Sequence, residues 1–428
     1  MQSPAAASAA ASAASASAAT ASAAASADAP LSLACGLTLP NRIAKAAMSE
    51  RLAAAERAPS EGLLRLYERW SRGGAGLLIT GNVMVDPSAI GEDGNVVVED
   101  ERHLPGLRAW ATAAHSGGAR VLAQLNHPGR QTPRNLSRQP VAPSAVPMRG
   151  MFGAFAPPRA LRVEEIEALI ERFSRSAAVF AAAGFDGVQV HAAHGYLISQ
   201  FLSPLTNLRD DEYGGDAARR RRFLCRIVEA IRAEVPAGFA VSVKLNSADF
   251  QHGGFSAEES VEVLRALETL GVDLVEISGG TYEASVMFGD APPERASTVA
   301  REAFFLAYAE QARAQVALPL MVTGGFRSAA GIAAALAAGA TDVVGLARPL
   351  CVEPDLPLAL RSDQAAVARR VDLRGGGKSL ETVVQGTWYQ RQLDCMARGL
   401  EPDPGLSRLG AVFGYLAPRK PPAAVAVD

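Results

Sequence analysis

The sequence predicts an α/β chain closed as a (β/α)8 TIM barrel, and three observations predict it. From Asn41 onward, short runs rich in Val, Ile and Leu alternate with longer amphipathic stretches, the pattern of parallel strands joined by crossover helices. Eight such units can be counted, and right-handed closure of eight gives a barrel. Polar residues and glycines end these apolar runs, which is where a barrel keeps its working groups. A doubly wound sheet would require a glycine-rich turn after its first strand, and residues 46–52 contain no glycine.

Taken in order, the predicted strands cover residues 43–48, 76–80, 120–124, 187–191, 240–245, 274–278, 320–323 and 342–346. Each is short and apolar enough to be buried on both faces. Ser60 and Glu61 open a helix, Ser256 with Glu259 forms a capping box, and Gly184 and Gly271 follow helix ends,. A Pro-rich insertion over 126–160 far exceeds the ~2–6 residues usual for such a loop, so a lid or substrate wall is expected there. The expected organisation is an Ala/Ser-rich tail over 1–30, a barrel over 31–363 and a C-terminal extension over 364–428. That extension holds one helical stretch, around 380–398, expected to pack on the barrel or on a partner subunit of a homo-oligomer.

The 428 residues are almost half apolar and carry a formal net charge of only −2. Such a surface has no single-sign field to recruit nucleic acid or an anionic membrane. A small-molecule ligand fits better. Four scattered cysteines, Cys35, Cys225, Cys351 and Cys395, form no C-x-x-C pair, which argues against metal clusters and disulfide frameworks and suits a reducing cytoplasm. The tail over 1–30 is nearly all Ala and Ser, too weakly apolar to order itself or span a membrane. It lacks the marks of a transit or secretory peptide, so we expect a tolerated tail.

The polar strand ends then supply candidate chemistry. MVTGGFRS places Gly324 and Gly325 after strand seven, and VVGLARPL places Gly345 and Arg348 after strand eight. Glycines let backbone N–H groups approach phosphate oxygens, Arg348 adds a charged fork, and these loops are the fold's usual phosphate site. In DGVQVHAAHGY, His191 and His194 close strand four at a spacing that directs both imidazoles to one point,. An oxygen or a metal ion would suit them; the H-E-x-x-H spacing is absent, which disfavours the metal. Gln124, ending strand three, both donates and accepts, matching a flavin's pyrimidine edge. Lys244, ending strand five, is a cation of the kind that stabilises a reduced flavin.

At this point the chain resembles the Old Yellow Enzyme family of FMN oxidoreductases. The resemblance runs from about Leu37 to Pro349 and is carried by LPNRIAKAAMSE, AQLNHPGRQ, VHAAHGYLISQFLSPLTNLRDDEYGGD, the basic residue ending strand five, TGGF and GLARPL. It implies noncovalent FMN, reduced by NADH or NADPH and reoxidised by an electron-poor alkene such as an enone or nitroalkene. Carried over by position, Ala47, Met48 and Ser49 line the flavin, while Asn82 and Gln124 contact its ring. Lys244 replaces the family's usual arginine. Gly325 and Arg348 bind phosphate, and His191 and His194 hold the substrate oxygen. Tyr196, whose phenol ordinarily titrates near pH ~10, is the candidate acid for the α-carbon. Ser49 stands where one branch has a cysteine, Ala47 where proline is common, and Arg51 where that branch has a substrate-facing tyrosine. Two other readings stay open: a quinone reductase or NADH oxidase using the same flavin, and a flavin-free lyase with Lys244 as Schiff base.

Overall fold

A computed structural model describes residues 26–149, 153–280, 305–373, 378–416 and 422–425. The tail expected over 1–30 lies outside the described residues as far as residue 25. Its last residues are already anchored, for Asp28 accepts a 2.7 Å hydrogen bond from Arg361 Nε.

Eight parallel strands close on themselves: β1 (Ile43–Lys45), β2 (Leu77–Met84), β3 (Arg120–Asn126), β4 (Gly187–Ala192), β5 (Ala240–Asn246), β6 (Leu274–Ser278), β7 (Leu320–Thr323) and β8 (Val343–Leu346). Each pairs with its neighbour in chain order, and β8 returns to β1. Around them run α1 (Glu61–Arg72), α2 (Leu104–His115), α3 (Val163–Ala182), α4 (Arg222–Glu234), α5 (Ala257–Thr269), α6 (Leu306–Arg313), α7 (Ala329–Ala337) and α8 (Leu356–Ser362). The predicted caps form: Ser60 Oγ accepts from Leu63 N–H, and Ser256 and Glu259 close a reciprocal capping box. Gly184 and Gly271 take the positive φ that ends a helix cheaply only in glycine,.

Two strands depart from the predicted limits by more than two residues at one end. β1 stops at Lys45 rather than residue 48, and β2 runs on to Met84 through a register shift between Ile79 and Asn82. Both departures trace to one buried cluster. Lys45 is fully buried and donates to Ile79 O at 2.7 Å, Glu50 Oε1 at 3.2 Å and Tyr67 Oη at 3.3 Å. Glu50 Oε1 also accepts from Gly81 N–H at 3.0 Å and Tyr67 Oη at 2.5 Å. A side chain on Gly81 would meet Glu50 Oε2 at 2.1 Å, so only glycine lets β2 approach the carboxylate. Burial draws the Lys45 ammonium down from its usual pKa, with Glu50 opposing the shift,. This clamp turns the chain out of β1 and holds residues 47–50 across the barrel mouth.

Alternation along the strands sorts the core. Outward residues such as Ala123, Val188, Val243 and Val275 pack under the helices, whereas Ala44, Leu77, Ile79, Leu122, Ala240, Leu274, Met321 and Val343 fill the barrel's lower interior. Leu33 and Leu39, beside the small antiparallel pairing of Leu31–Ser32 with Thr38–Leu39, join that inner cluster. Above it the inward positions turn polar.

Within the insertion after β3, Val141–Ala142 pairs in parallel with Arg159–Ala160. The expected C-terminal helix forms as α9 (Lys378–Ala397), followed by α10 (Arg408–Leu416). It packs on the barrel. Gln390 Nε2 donates to Glu50 O at 2.6 Å, and Ala397 O accepts from Arg65 Nε at 2.8 Å.

Candidate active site

The polar layer begins where β3, β4, β5 and β6 pass the apolar plug. Gln124, Gln189, Ser242 and Glu276 face inward, and further along β4, β5 and β6 come His191, Lys244, Asn246 and Ser278. Register ties them together, pairing Gln124 with Gln189, His191 with Lys244, Lys244 with Glu276, and Asn246 with Ser278. These side chains are all buried, so each must find partners or a ligand.

Beyond β4 the chain makes a sharp turn at His194, whose φ of 61° is unusual for a side-chain-bearing residue,. Asn246 Oδ1 accepts its N–H at 3.2 Å and Gln131 Nε2 donates to its carbonyl at 3.2 Å. The surrounding structure thus holds a conformation that costs free energy, a feature typical of functional sites. The turn brings three rings together. The centroids of His191 and His194 lie 5.1 Å apart, and Tyr196 stands edge-on to His191 at 4.8 Å. Tyr196 Oη accepts from Asn82 Nδ2 at 3.4 Å.

Both imidazoles are neutral near pH 7. Burial holds His191 well below the usual pKa, helped by His194 and Lys244, and burial with Lys244 does the same for His194,. His191 Nδ1 accepts the Ala193 N–H at 3.2 Å, which leaves the ring proton on Nε2. His194 Nε2 lies 2.7 Å from Ser278 Oγ. With the serine donating, the other proton sits on Nδ1. His127 is likewise buried and is lowered to about 4, by burial first, with Asp86 opposing. Unfolding releases all three to an ordinary pKa near 6.5. The unfolded chain therefore binds more protons between about pH 4 and 6.5, and stability present above that range is lost as pH falls through it. Urea unfolding at pH 7, 6 and 5 should show the midpoint dropping stepwise, and His127→Asn should flatten the trend.

The phosphate-type loops lie on the same face. Gly324 and Gly325 adopt φ of 119° and 94°, and their N–H groups meet no acceptor among the described residues. Arg348 opens a short 3-10 turn after β8, and its Nη1 donates to Gln385 of α9 at 3.1 Å. Gly345 has a further reason to be glycine, since a Cβ there would lie 1.9 Å from Thr323 Oγ1. Gly345→Ala should cost about 1–3 kcal/mol in a denaturant melt. Ala47, Met48 and Ser49 border the mouth from β1, and Met48 Sδ rests 3.5 Å from Cys351 Sγ. Arg51 turns aside, its Nε donating to Asp93 O at 3.1 Å.

Strand ends alone do not reveal Gln189 and Glu276, which sit inside β4 and β6. Their signal is a polar residue two positions before another polar one, Gln189 before His191 and Glu276 before Ser278, the spacing of one strand face.

A family profile described as the NADH:flavin oxidoreductase / NADH oxidase family matches residues 29–366. The chain belongs to this family, in its Old Yellow Enzyme line. It is 42% identical over 352 residues to the NADH-dependent flavin oxidoreductase iliE of Neonectria sp. (strain DH2), covering 77% of this chain and 46% of that one. The namesake from Hypocrea jecorina (strain QM6a) is 40% identical over 353 residues, covering 77% and 87% of the two chains. Morphinone reductase superposes with a TM-score of 0.68 at 27% identity over 84% of this chain and 96% of its own. The old yellow enzyme homologue from Zymomonas mobilis does so with a TM-score of 0.68 at 26% identity, covering 81% and 95%. The protein is an NAD(P)H-dependent FMN oxidoreductase.

The residues present suit that cofactor. Asn82 Oδ1 and Thr323 Oγ1 are buried without a hydrogen-bond partner among the described residues. Gln124 spends its Nε2 on Gln189 at 2.7 Å, which leaves its carbonyl oxygen for a ligand. The Lys244 ammonium meets Glu276 Oε1 at 2.8 Å and has further N–H groups to give. Together with two loop amides, this donor and acceptor set matches a ring with a polar edge and a phosphate tail. Among the described residues, no helix is long and apolar enough to cross a membrane.

Proposed function

We propose that the enzyme reduces a small, electron-poor alkene, an enone or nitroalkene, with NADH or NADPH as reductant. The overall change consumes NAD(P)H and a proton and yields NAD(P)⁺ and the saturated product. When bound, FMN supplies the hydride carrier between the two substrates. Gln124, Asn82 and Lys244 face its ring, Ala47, Met48 and Ser49 border it, and Gly324, Gly325, Gly345 and Arg348 take its phosphate.

One observation carries this reading: two neutral imidazoles meet at one corner beside a phenol, His191 with its Nδ1 taken by a backbone N–H and His194 with its Nε2 against Ser278 Oγ, so that with the serine donating each ring keeps a proton-bearing nitrogen to give. His191 Nε2–H and His194 Nδ1–H hold the carbonyl or nitro oxygen and draw electron density onto it, so the β-carbon becomes electrophilic. Tyr196 Oη then gives its proton to the α-carbon, and Asn82 Nδ2 keeps that hydroxyl in place. Because the imidazoles are neutral, each donates without presenting a full charge that would lock the oxygen as an anion.

Quinone reduction is the second reading, and the same oxygen grip favours it. The two differ in where the proton goes, since a quinone takes its protons on oxygen and needs no carbon acid. Product analysis decides between them. Saturated ketone formed in step with NAD(P)H consumption supports the alkene reading, whereas turnover of menadione with 2-cyclohexenone untouched supports the other.

A further inference from the structure

Lys244, which the proposed function sets against the flavin ring, stands in a charge network that this reaction does not use. Its Nζ meets Glu276 Oε1 at 2.8 Å across paired strands, and the Glu276 side chain is entirely buried. The other carboxylate oxygen accepts Gln189 Nε2 at 3.0 Å. Gln189 Oε1 in turn accepts Gln124 Nε2 at 2.7 Å. One connected line therefore runs from Gln124 on β3 through Gln189 on β4 to Glu276 on β6 and back to Lys244 on β5. Both ends of that line are residues assigned to the flavin. The Glu276 carboxylate bonds Gln189 and Lys244, and the proposed grip on the substrate oxygen and the proton transfer are assigned to His191, His194 and Tyr196.

A buried carboxylate is expensive to desolvate, and an apolar residue would fill this barrel layer at less cost. What the carboxylate adds is charge. An unpaired lysine beside the flavin would strongly favour the negative charge that reduction places there, because Coulomb interactions over a few ångströms are large in a dry site. Paired with Glu276, the same ammonium contributes much less field while remaining able to donate its other N–H groups.

We propose that Glu276 is a positioning residue that sets the reduction potential of the bound flavin, restraining and partly neutralising Lys244 while orienting Gln124 through Gln189. The inference rests on Lys244 facing the flavin. In this arrangement the carboxylate keeps the reduced cofactor a strong hydride source, and removing its charge makes the cofactor easier to reduce and slower to pass electrons on.

The test is the two-electron midpoint potential of the FMN holoenzyme, measured spectroelectrochemically with no substrate present. Glu276→Gln is expected to favour the reduced state about tenfold or more, which is roughly 30 mV upward for a two-electron couple. Lys244→Met should move the potential down. In the Lys244→Met background, adding Glu276→Gln should raise the potential less, because the part of the effect that comes from restraining the ammonium is gone. An unchanged or lowered potential in Glu276→Gln overturns the proposal, and so does an equal rise in both backgrounds. A Lys244→Met holoenzyme with wild-type potential removes Lys244 from the flavin, overturning its placement and the inference together; a shifted Lys244→Met beside an unshifted Glu276→Gln overturns the inference alone. If Glu276→Gln does not retain FMN, Glu276→Asp keeps the charge but withdraws it by one methylene. A smaller rise is then expected, and none overturns the proposal.

Discussion

Tyr196→Phe is expected to lower the rate at which an enone reoxidises the reduced enzyme by about 10²–10⁴-fold, the usual worth of a general acid. Reoxidation by a quinone should be unchanged. The reason is chemical: saturating an alkene requires a proton at carbon, and carbon is protonated slowly unless an acid is already in place. Tyr196 meets that need, since it is buried at the start of the Leu197–Leu202 helix, packed edge-on to His191 at 4.8 Å and tied to Asn82 at 3.4 Å. Removing one oxygen atom leaves the ring packing and the oxygen-holding corner intact. Stopped-flow absorbance on enzyme reduced beforehand isolates the step. A Tyr196→Phe enzyme with wild-type enone rates would assign the proton to water or another group.

The second large effect belongs to the histidine pair. Replacing His191 and His194 together with alanine should cost enone reoxidation about 10²–10³-fold, or roughly 2.7–4 kcal/mol, the loss seen when donors to a developing oxyanion are removed. Reoxidation by dissolved oxygen should change little, because dioxygen needs no held carbonyl. Either single variant should lose less than the pair, since one donor remains. The midpoint potential serves as the control, for a shift in it would mean that the substitutions had disturbed the flavin rather than the substrate grip.

Much of this architecture is legible in the residues. The runs at 274–278 and 320–323 are strands to the residue, because the first is bounded by Asp273 and Gly279 and the second by Pro319 and Gly324. β1 is not, since Ala46, Ala47 and Met48 continue its apolar character while the Glu50 clamp, set from β2 and α1, turns the chain away. The histidine corner is visible as spacing, but its tautomers depend on Ala193 and Ser278, groups that only the fold brings within reach. Glu276 escapes notice for a related reason. In LVEIS it looks like a lone charge in a strand, and only the register with Lys244 shows it to be half of a buried pair. Local pattern carries the elements, whereas the pairings that give the site its chemistry are long-range.

The most direct test follows a single anaerobic turnover. Holoenzyme reduced with one equivalent of dithionite is mixed with 2-cyclohexenone, and the flavin absorbance and the ketone product are measured together. The expected result is reoxidation with one cyclohexanone formed per flavin, and loss of that reaction in the His191→Ala/His194→Ala enzyme. A flavin that stays reduced in the presence of the enone, yet is promptly reoxidised by menadione, would contradict it.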